Sequence, residues 1–292
     1  MDTTIIKNVP LTQYNTLRLE SLASLMAFPH NEDGLYELVN SYEKSKKIII
    51  IGKGANLLLS KTKYDEESLF VNLRLMNNIY NEDGFIQIES GATLSEMAWF
   101  AIENGIKNYE FLEDIPGTLG GAILMNAGTY KNYLGNLVES VRYYSFDKNE
   151  IIDRDSGKDD FSRRNSYWKE THTIVIRCKI KAEKGDYIDS LNKVLEIKKQ
   201  RFLKQPRNFP SAGSVFVRPE KDLKDLVVWE LLDQVGLRGY AKNGAAFSDK
   251  HPGFIVNIGH AKYEDIIYLV ELAKERVFDR FDVELKLEWV VI

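Results

Sequence analysis

The chain of 292 residues contains one cysteine, Cys178, so it has no intrachain disulfide framework and no cysteine-rich metal site. Its four histidines (His30, His172, His251 and His260) are scattered, and none forms an HExxH-like pair on one helix face. No hydrophobic run approaches the roughly 20 residues a membrane span requires. The opening residues, Met1 to Lys7, lack the basic and apolar segments of a secretion signal. Charge of one sign is also missing: 43 acidic against 39 basic residues leave a formal charge of −4. No field of that size advertises nucleic acid or a membrane surface. With 19 Gly and 7 Pro the chain is too poor in both for a fibrous protein. What it has is apolar and aromatic material, 44% hydrophobic with 15 Tyr, 14 Phe and 4 Trp, enough for more than one core. A cytoplasmic multidomain protein, monomeric and with no nucleic-acid or membrane partner, is expected.

Helical and strand periods alternate without repeats. Leu35, Leu38, Val39 and Tyr42 share one helical face over 33–42, and Ile48–Ile51 is a β-branched run suited to a buried strand. Phe85, Ile86 and Ile88 suggest another strand. Thr93 and Glu96 have capping-box spacing ahead of Met97, Ala98, Ala101 and Ile102, with Gly105 placed to end the helix. Two further strands are expected, VRYYSF from Val141 and TIVIRCKI from Thr173. A charged helix is expected over about 188–204. The remainder reads strand, helix (Leu226–Val235, closed by Gly236), strand (Phe254–Asn257), helix (Asp265–Phe278), strand (Val283–Val291).

Glycine is concentrated where bare backbone has a use. Gly52-Lys53-Gly54-Ala55-Asn56-Leu57 follows the Ile48–Ile51 strand, and such a loop brings N–H groups close to a phosphate. It is not a dinucleotide fingerprint of the helix-opening kind, because the third glycine is absent and the chain runs into Leu57-Leu58-Leu59. Strand–loop–strand fits better, and a plain hairpin turn explains this loop on its own. The second segment is Ile115-Pro116-Gly117-Thr118-Leu119-Gly120-Gly121, continuing to Asn126-Ala127-Gly128-Thr129-Tyr130. A helical glycine costs about 1 kcal/mol against alanine, so this spacing asks for backbone lying against something flat or anionic. Tight packing of two elements is the alternative, but with the first loop in view a ligand contact outweighs it.

These motifs, taken with Arg164-Asn165-Ser166, Pro210-Ser-Ala-Gly-Ser214-Val-Phe and the terminal Leu-x-x-Glu288, resemble the UDP-N-acetylenolpyruvoylglucosamine reductase (MurB) family. The likeness runs in the family's order from about residue 15 to the end, and the length resembles the shorter subtype without a tyrosine-bearing insertion. It implies an α+β fold in which a two-domain unit of the vanillyl-alcohol-oxidase (PCMH) type holds FAD and a C-terminal α/β domain binds substrate. The ranges expected are 1–70, 71–187 and 188–292. It further implies that NADPH supplies hydride through the flavin to an enolpyruvyl ether of a UDP-sugar, a cytoplasmic step of peptidoglycan precursor synthesis. By resemblance Ser214 is the acid that protonates carbon, a task that suits a serine only in a dry site. Arg164 grips the carboxylate, and Glu288 orients substrate beside it.

Hydride addition to the β-carbon builds an enolate, so the chemistry itself calls for a charged donor and an acid. The glycine loops (Gly52 to Leu57; Ile115, Pro116, Gly117, Thr118, Gly120, Gly121, Asn126 and Gly128) fall to the cofactor. Lys204, Arg207, Arg218 and Arg238 are candidates for the substrate diphosphate. Period-two spacing places Glu284, Lys286 and Glu288 on one face. The chain departs from the family at Ser21-Leu22, where a Gly-Gly pair is usual, and at Ala55, Arg163 and Val217, where serine, tyrosine and lysine are. A flavin oxidase of the same fold is an alternative. Such enzymes often attach FAD covalently through His or Cys, and neither residue lies near the first loop. A flavin- or nucleotide-sugar-binding relative without turnover is the other.

Overall fold

The computed structural model describes residues 2–82, 84–129, 132–219 and 227–292. Tyr130 and the expected helix start at Leu226 lie outside them. The helices are α1 (Glu32–Tyr42), α2 (Leu94–Glu103), α3 (Leu119–Leu124), α4 (Tyr167–Glu170), α5 (Tyr187–Lys204), α6 (Val228–Gln234) and α7 (Tyr263–Phe281). Contacts divide the chain into two compact units. The first comprises residues 1–8, 24–53 and 65–199, and the second residues 9–23, 54–64 and 200–292. The division cuts the first glycine loop between Lys53 and Gly54.

In the first unit, Ser68–Val71 lies between Lys47–Ile50 and Leu22–Pro29, parallel to both. Parallel neighbours need a crossover, and α1 supplies one, with Leu35, Leu38 and Val39 buried as their spacing requires. Asn31 caps α1 by accepting from Gly34 N at 2.8 Å. A second sheet of five antiparallel strands runs Glu150–Asp155, Val138–Ser145, Thr173–Lys181, Phe85–Glu89, Ile79–Glu82. Its apolar face shares a core with α2 and α3, in which Ile86, Ile88, Met97, Leu119, Val141 and Cys178 are buried. The Thr93–Glu96 capping box forms, and Gly105 takes φ +66° just past the end of α2.

In the second unit, Ser211–Ser214, Phe254–Asn257, Ala245–Phe247 and Ala241–Lys242 form an antiparallel sheet in that order. α6, followed by Gly236 at φ +73°, and α7 accompany it. The strand–helix alternation expected here omitted the Ala241–Phe247 hairpin. Its two-residue turn, Asn243-Gly244, is a hairpin signal that the sequence carries in plain view. α7 starts two residues before Asp265, because that carboxylate accepts from Lys262 N at 3.0 Å. Only Val290–Val291 of the expected last strand forms a ladder, pairing in parallel with Leu57–Leu58. Leu287 makes a single bridge to Phe216. The period-two pattern still holds: Val283 and Leu285 are buried while Glu284 and Lys286 face solvent.

Candidate active site

The two glycine loops meet inside the first unit. A Cβ added at Gly52 would stand 2.5 Å from Thr118 Oγ1 of the second loop. Asn72, buried, fixes the first loop from below, donating from Nδ2 to the carbonyls of Ile51 at 2.7 Å and Gly52 at 3.1 Å. The second loop is tied to the turn before α2, with Leu119 N donating to Ala92 O and Gly120 N to Ser90 O. A cleft lined by Gly52, Asn72, Ser90, Thr118, Gly120 and Gly121 lies between them.

The glycines separate into two kinds. Gly120 abuts the Ser90 hydroxyl at 2.1 Å from a built Cβ, and Gly128 abuts the Asn132 carbonyl at 2.2 Å across a hairpin. Packing accounts for these. At Gly117, with φ +140°, and at Gly121 an added Cβ would meet nothing within 4 Å. Their bare backbone faces open space, and that is what a flat dinucleotide cofactor needs from a surface it lies on. The residues present therefore fit FAD. Asn72, Ser90 and Gly91 were not singled out from the sequence. Gly91 is glycine for packing, since a Cβ there would collide with the Leu73 carbonyl at 2.0 Å, a contact the linear sequence does not display.

Arg164 also belongs to the first unit. Phe161 pairs with Ser166 and Ser162 with Asn165, leaving Arg163 and Arg164 as a two-residue turn. Arg164 stands at φ +58°, a left-handed conformation that costs a non-glycine residue about 1–2 kcal/mol. Asn126 and Ser166 hold the legs of this turn.

In the second unit, four stretches far apart in sequence converge. Gly54 takes φ +63°, its carbonyl accepts from Thr16 N at 3.2 Å, and a Cβ there would lie 2.1 Å from the Tyr14 carbonyl. Asn56 Nδ2 donates to Glu288 O at 3.1 Å, and Val290 N donates to Asn56 O at 2.9 Å. Glu288 N in turn donates to Val215 O at 2.8 Å, the residue after Ser214. Gly213, at φ +79°, brings its built Cβ to 4.0 Å from Ala55 O. The first loop's second half, the Ser214 strand and the Glu288 segment are thus laced together by main-chain bonds.

Ser214 is exposed, so the dry surroundings that a serine acid needs do not come from the chain's own packing around it. Lys204, Arg207 and Arg218 are exposed as well. Arg238 grips Asp233 with two bonds of 2.7 and 2.8 Å and donates to Asp249 O at 2.7 Å. The guanidinium beside it holds the Asp233 carboxyl below the usual carboxylate range. Ser21 and Leu22, which replace a glycine pair, sit comfortably: Ser21 Oγ donates to Lys61 O at 2.7 Å, and Leu22 N to Thr62 O at 3.0 Å. Among the described residues no cluster of His, Cys, Asp and Glu could hold a metal ion, and no helix is long and apolar enough to cross a membrane.

Fold and cleft together define a flavoprotein. Residues 23–150 match the family model of an FAD binding domain, and residues 205–292 match that of the UDP-N-acetylenolpyruvoylglucosamine reductase C-terminal domain. The reductase of that name from Caldanaerobacter subterraneus subsp. tengcongensis is 36% identical over 98% of this chain and 92% of its own length. That from Clostridium perfringens (strain SM101) is 30% identical over 97% and 91%. The crystal structure of the Thermus caldophilus enzyme superposes with a TM-score of 0.82 at 26% identity, covering 99% of both chains. The chain belongs to the UDP-N-acetylenolpyruvoylglucosamine reductase family.

Proposed function

We propose that this chain reduces UDP-N-acetylglucosamine enolpyruvate to UDP-N-acetylmuramate with NADPH, a step of peptidoglycan precursor synthesis. The observation that carries the reading is the cleft in the first unit. Two glycine loops abut there and leave Gly121 bare on its wall, with Gly117 bare one residue before the lining Thr118, in a chain whose family is named for this reduction. FAD, when bound, supplies the two-electron link between NADPH and the enolpyruvyl group.

The chain's own residues carry the rest. Hydride reaching the β-carbon turns the methylene into a methyl and drives an electron pair onto the α-carbon and its carboxylate. Arg164 is assigned to that carboxylate, where a permanently charged fork stabilises the growing enolate. Ser214 is assigned the proton that quenches the α-carbon, its Oγ–H donating as the pair localises. Gly213 ahead of it leaves room for the sugar. Glu288, held through its main chain by Asn56 and Val215, is assigned to orienting the substrate. Arg207 and Arg218 are assigned to the diphosphate, and Arg238 would first have to leave Asp233. Substrate binding is assigned to 188–292 and FAD binding to 1–70 and 71–187, functional ranges that differ from the two contact units, in which 188–199 falls in the first and 9–23 and 54–64 go with 200–292.

Cytoplasmic action as a monomer on a small-molecule UDP-sugar, with no nucleic-acid or membrane partner, completes the reading. Non-covalent FAD is consistent with the lack of His or Cys near the first loop, which disfavours the oxidase alternative. The test is anaerobic. NADPH should bleach the bound flavin, and the enolpyruvyl nucleotide should restore its colour stoichiometrically. A flavin bleached by NADPH but not reoxidised by that nucleotide would end this reading.

A further inference from the structure

Resting on the assignment of Arg164 to the substrate carboxylate, we propose that Asn126 is a positioning residue that aims Arg164, rather than a contact of the cofactor. Asn126 is 6% exposed, and both ends of its amide are engaged. Its Nδ2 donates to Ser162 O at 2.9 Å, on the strand entering the Arg163–Arg164 turn, and its Oδ1 accepts from Gly135 N at 3.0 Å. The two partners fix the amide's orientation, since a carbonyl can only accept and an N–H only donate.

The exit strand is held by the same short segment. Ser166, buried, donates from Oγ to Leu124 O at 3.2 Å and accepts from Lys169 N at 3.3 Å. Lys169 Nζ then donates to the Arg164 carbonyl itself at 3.0 Å. Phe161, opposite Ser166, lies so close to Gly135 that a Cβ there would come within 2.5 Å of its ring. Both legs of a strained turn are therefore bonded to residues 124 and 126, at and just past the C-terminal end of α3, whose Gly121 lines the cofactor cleft. Arg164 stays at φ +58° because this clamp denies the turn a relaxed alternative.

The test uses the FAD-loaded protein and the substitution Asn126→Asp, which keeps the acceptor for Gly135 N but turns an oxygen toward Ser162 O. Reoxidation of the reduced flavin by UDP-N-acetylglucosamine enolpyruvate should slow about tenfold, the order expected for one lost buried hydrogen bond acting on alignment. FAD affinity, measured by flavin fluorescence on the apoprotein, and the rate of flavin bleaching by NADPH should stay within about twofold. In an Arg164→Ala background the same substitution should add no further slowing, because the group it aims is gone. Loss of FAD affinity in Asn126→Asp, or full additivity of the two substitutions, would overturn the proposal while leaving the function intact. An Arg164→Ala protein reoxidised at the wild-type rate would instead remove the assignment of Arg164 beneath it. If Asn126→Asp does not accumulate folded, Asn126→Ala, which removes the donor without adding charge, is read by the same three measurements and criteria.

Discussion

Gly121→Ala separates the demands of folding from those of the cofactor. Gly121 is the third residue of α3, its φ is ordinary, and a Cβ there would meet nothing within 4 Å. Folding therefore gains from the change. Alanine is favoured over glycine in a helix by up to about 1 kcal/mol, and a chain of this size converts that into a melting rise of roughly 1–2 °C for the apoprotein. If the cofactor lies on that bare backbone, the added methyl intrudes on a close contact, and overpacking costs about 1–3 kcal/mol. FAD affinity should fall by roughly 5- to 150-fold. Thermal unfolding of the apoprotein and a fluorescence titration with FAD read the two effects separately. A stabilised apoprotein that binds FAD as tightly as the parent would show that nothing lies over Gly121, and the cleft would lose its meaning. Gly54→Ala is the contrast. Its φ of +63° costs alanine about 1–2 kcal/mol, and the Tyr14 carbonyl 2.1 Å from the new Cβ adds a clash, so apoprotein stability itself must drop.

Ser214→Ala should leave bleaching of the flavin by NADPH unchanged and slow reoxidation by the enolpyruvyl nucleotide by about 10²-fold or more, followed by stopped-flow absorbance; equal slowing of both halves would exclude Ser214 as the proton donor. Gly135→Ala should destabilise the first unit, since its methyl would stand 2.5 Å from the Phe161 ring, and a melting temperature equal to the parent's would show that ring free to retreat. Arg142 donates to Glu32 from Nε at 2.7 Å and from Nη2, and its other terminal nitrogen, Nη1, donates to Asp153. The hydrogen bond from Arg142 holds the Glu32 carboxyl below its ordinary 4.5, so its contribution is present above that value and lost as pH falls through the lowered folded value. The gap in urea midpoint between the parent and Arg142→Met should accordingly shrink on acidification from pH 7 to below 4, and a constant gap would show that the ion pair does not carry it.

Local signals transferred from sequence to structure where a segment satisfies itself. The Thr93–Glu96 box, the stripe of Leu35, Leu38 and Val39, and glycines 105 and 236 past their helix ends depend on neighbours within a turn or two. The Asn243-Gly244 hairpin is equally local, but its short strands sit inside a run whose strand–helix alternation masks them. The last strand overran: its period-two burial is real from Val283 to Lys286, but only Val290–Val291 extend into a ladder, at Leu57–Leu58, while the stretch before them meets residues 215–217 at the single Leu287–Phe216 bridge.

The chemistry-bearing residue types and their order were fixed by the sequence itself: two glycine loops, an arginine in a tight turn, a serine after a flexible Ala-Gly, a terminal glutamate. Tertiary structure alone decided what each glycine is for. Gly120 and Gly128 make room for the protein's own atoms, whereas Gly117 and Gly121 leave a surface bare, and nothing in the linear spacing distinguishes the two. It also decided that Asn126 reaches Ser162 and that Asn56 reaches Glu288. Those pairings are made by groups 36 and 232 residues apart, and a hydrogen bond between such groups exists only after the intervening chain has folded to bring donor and acceptor within 3 Å or so of each other.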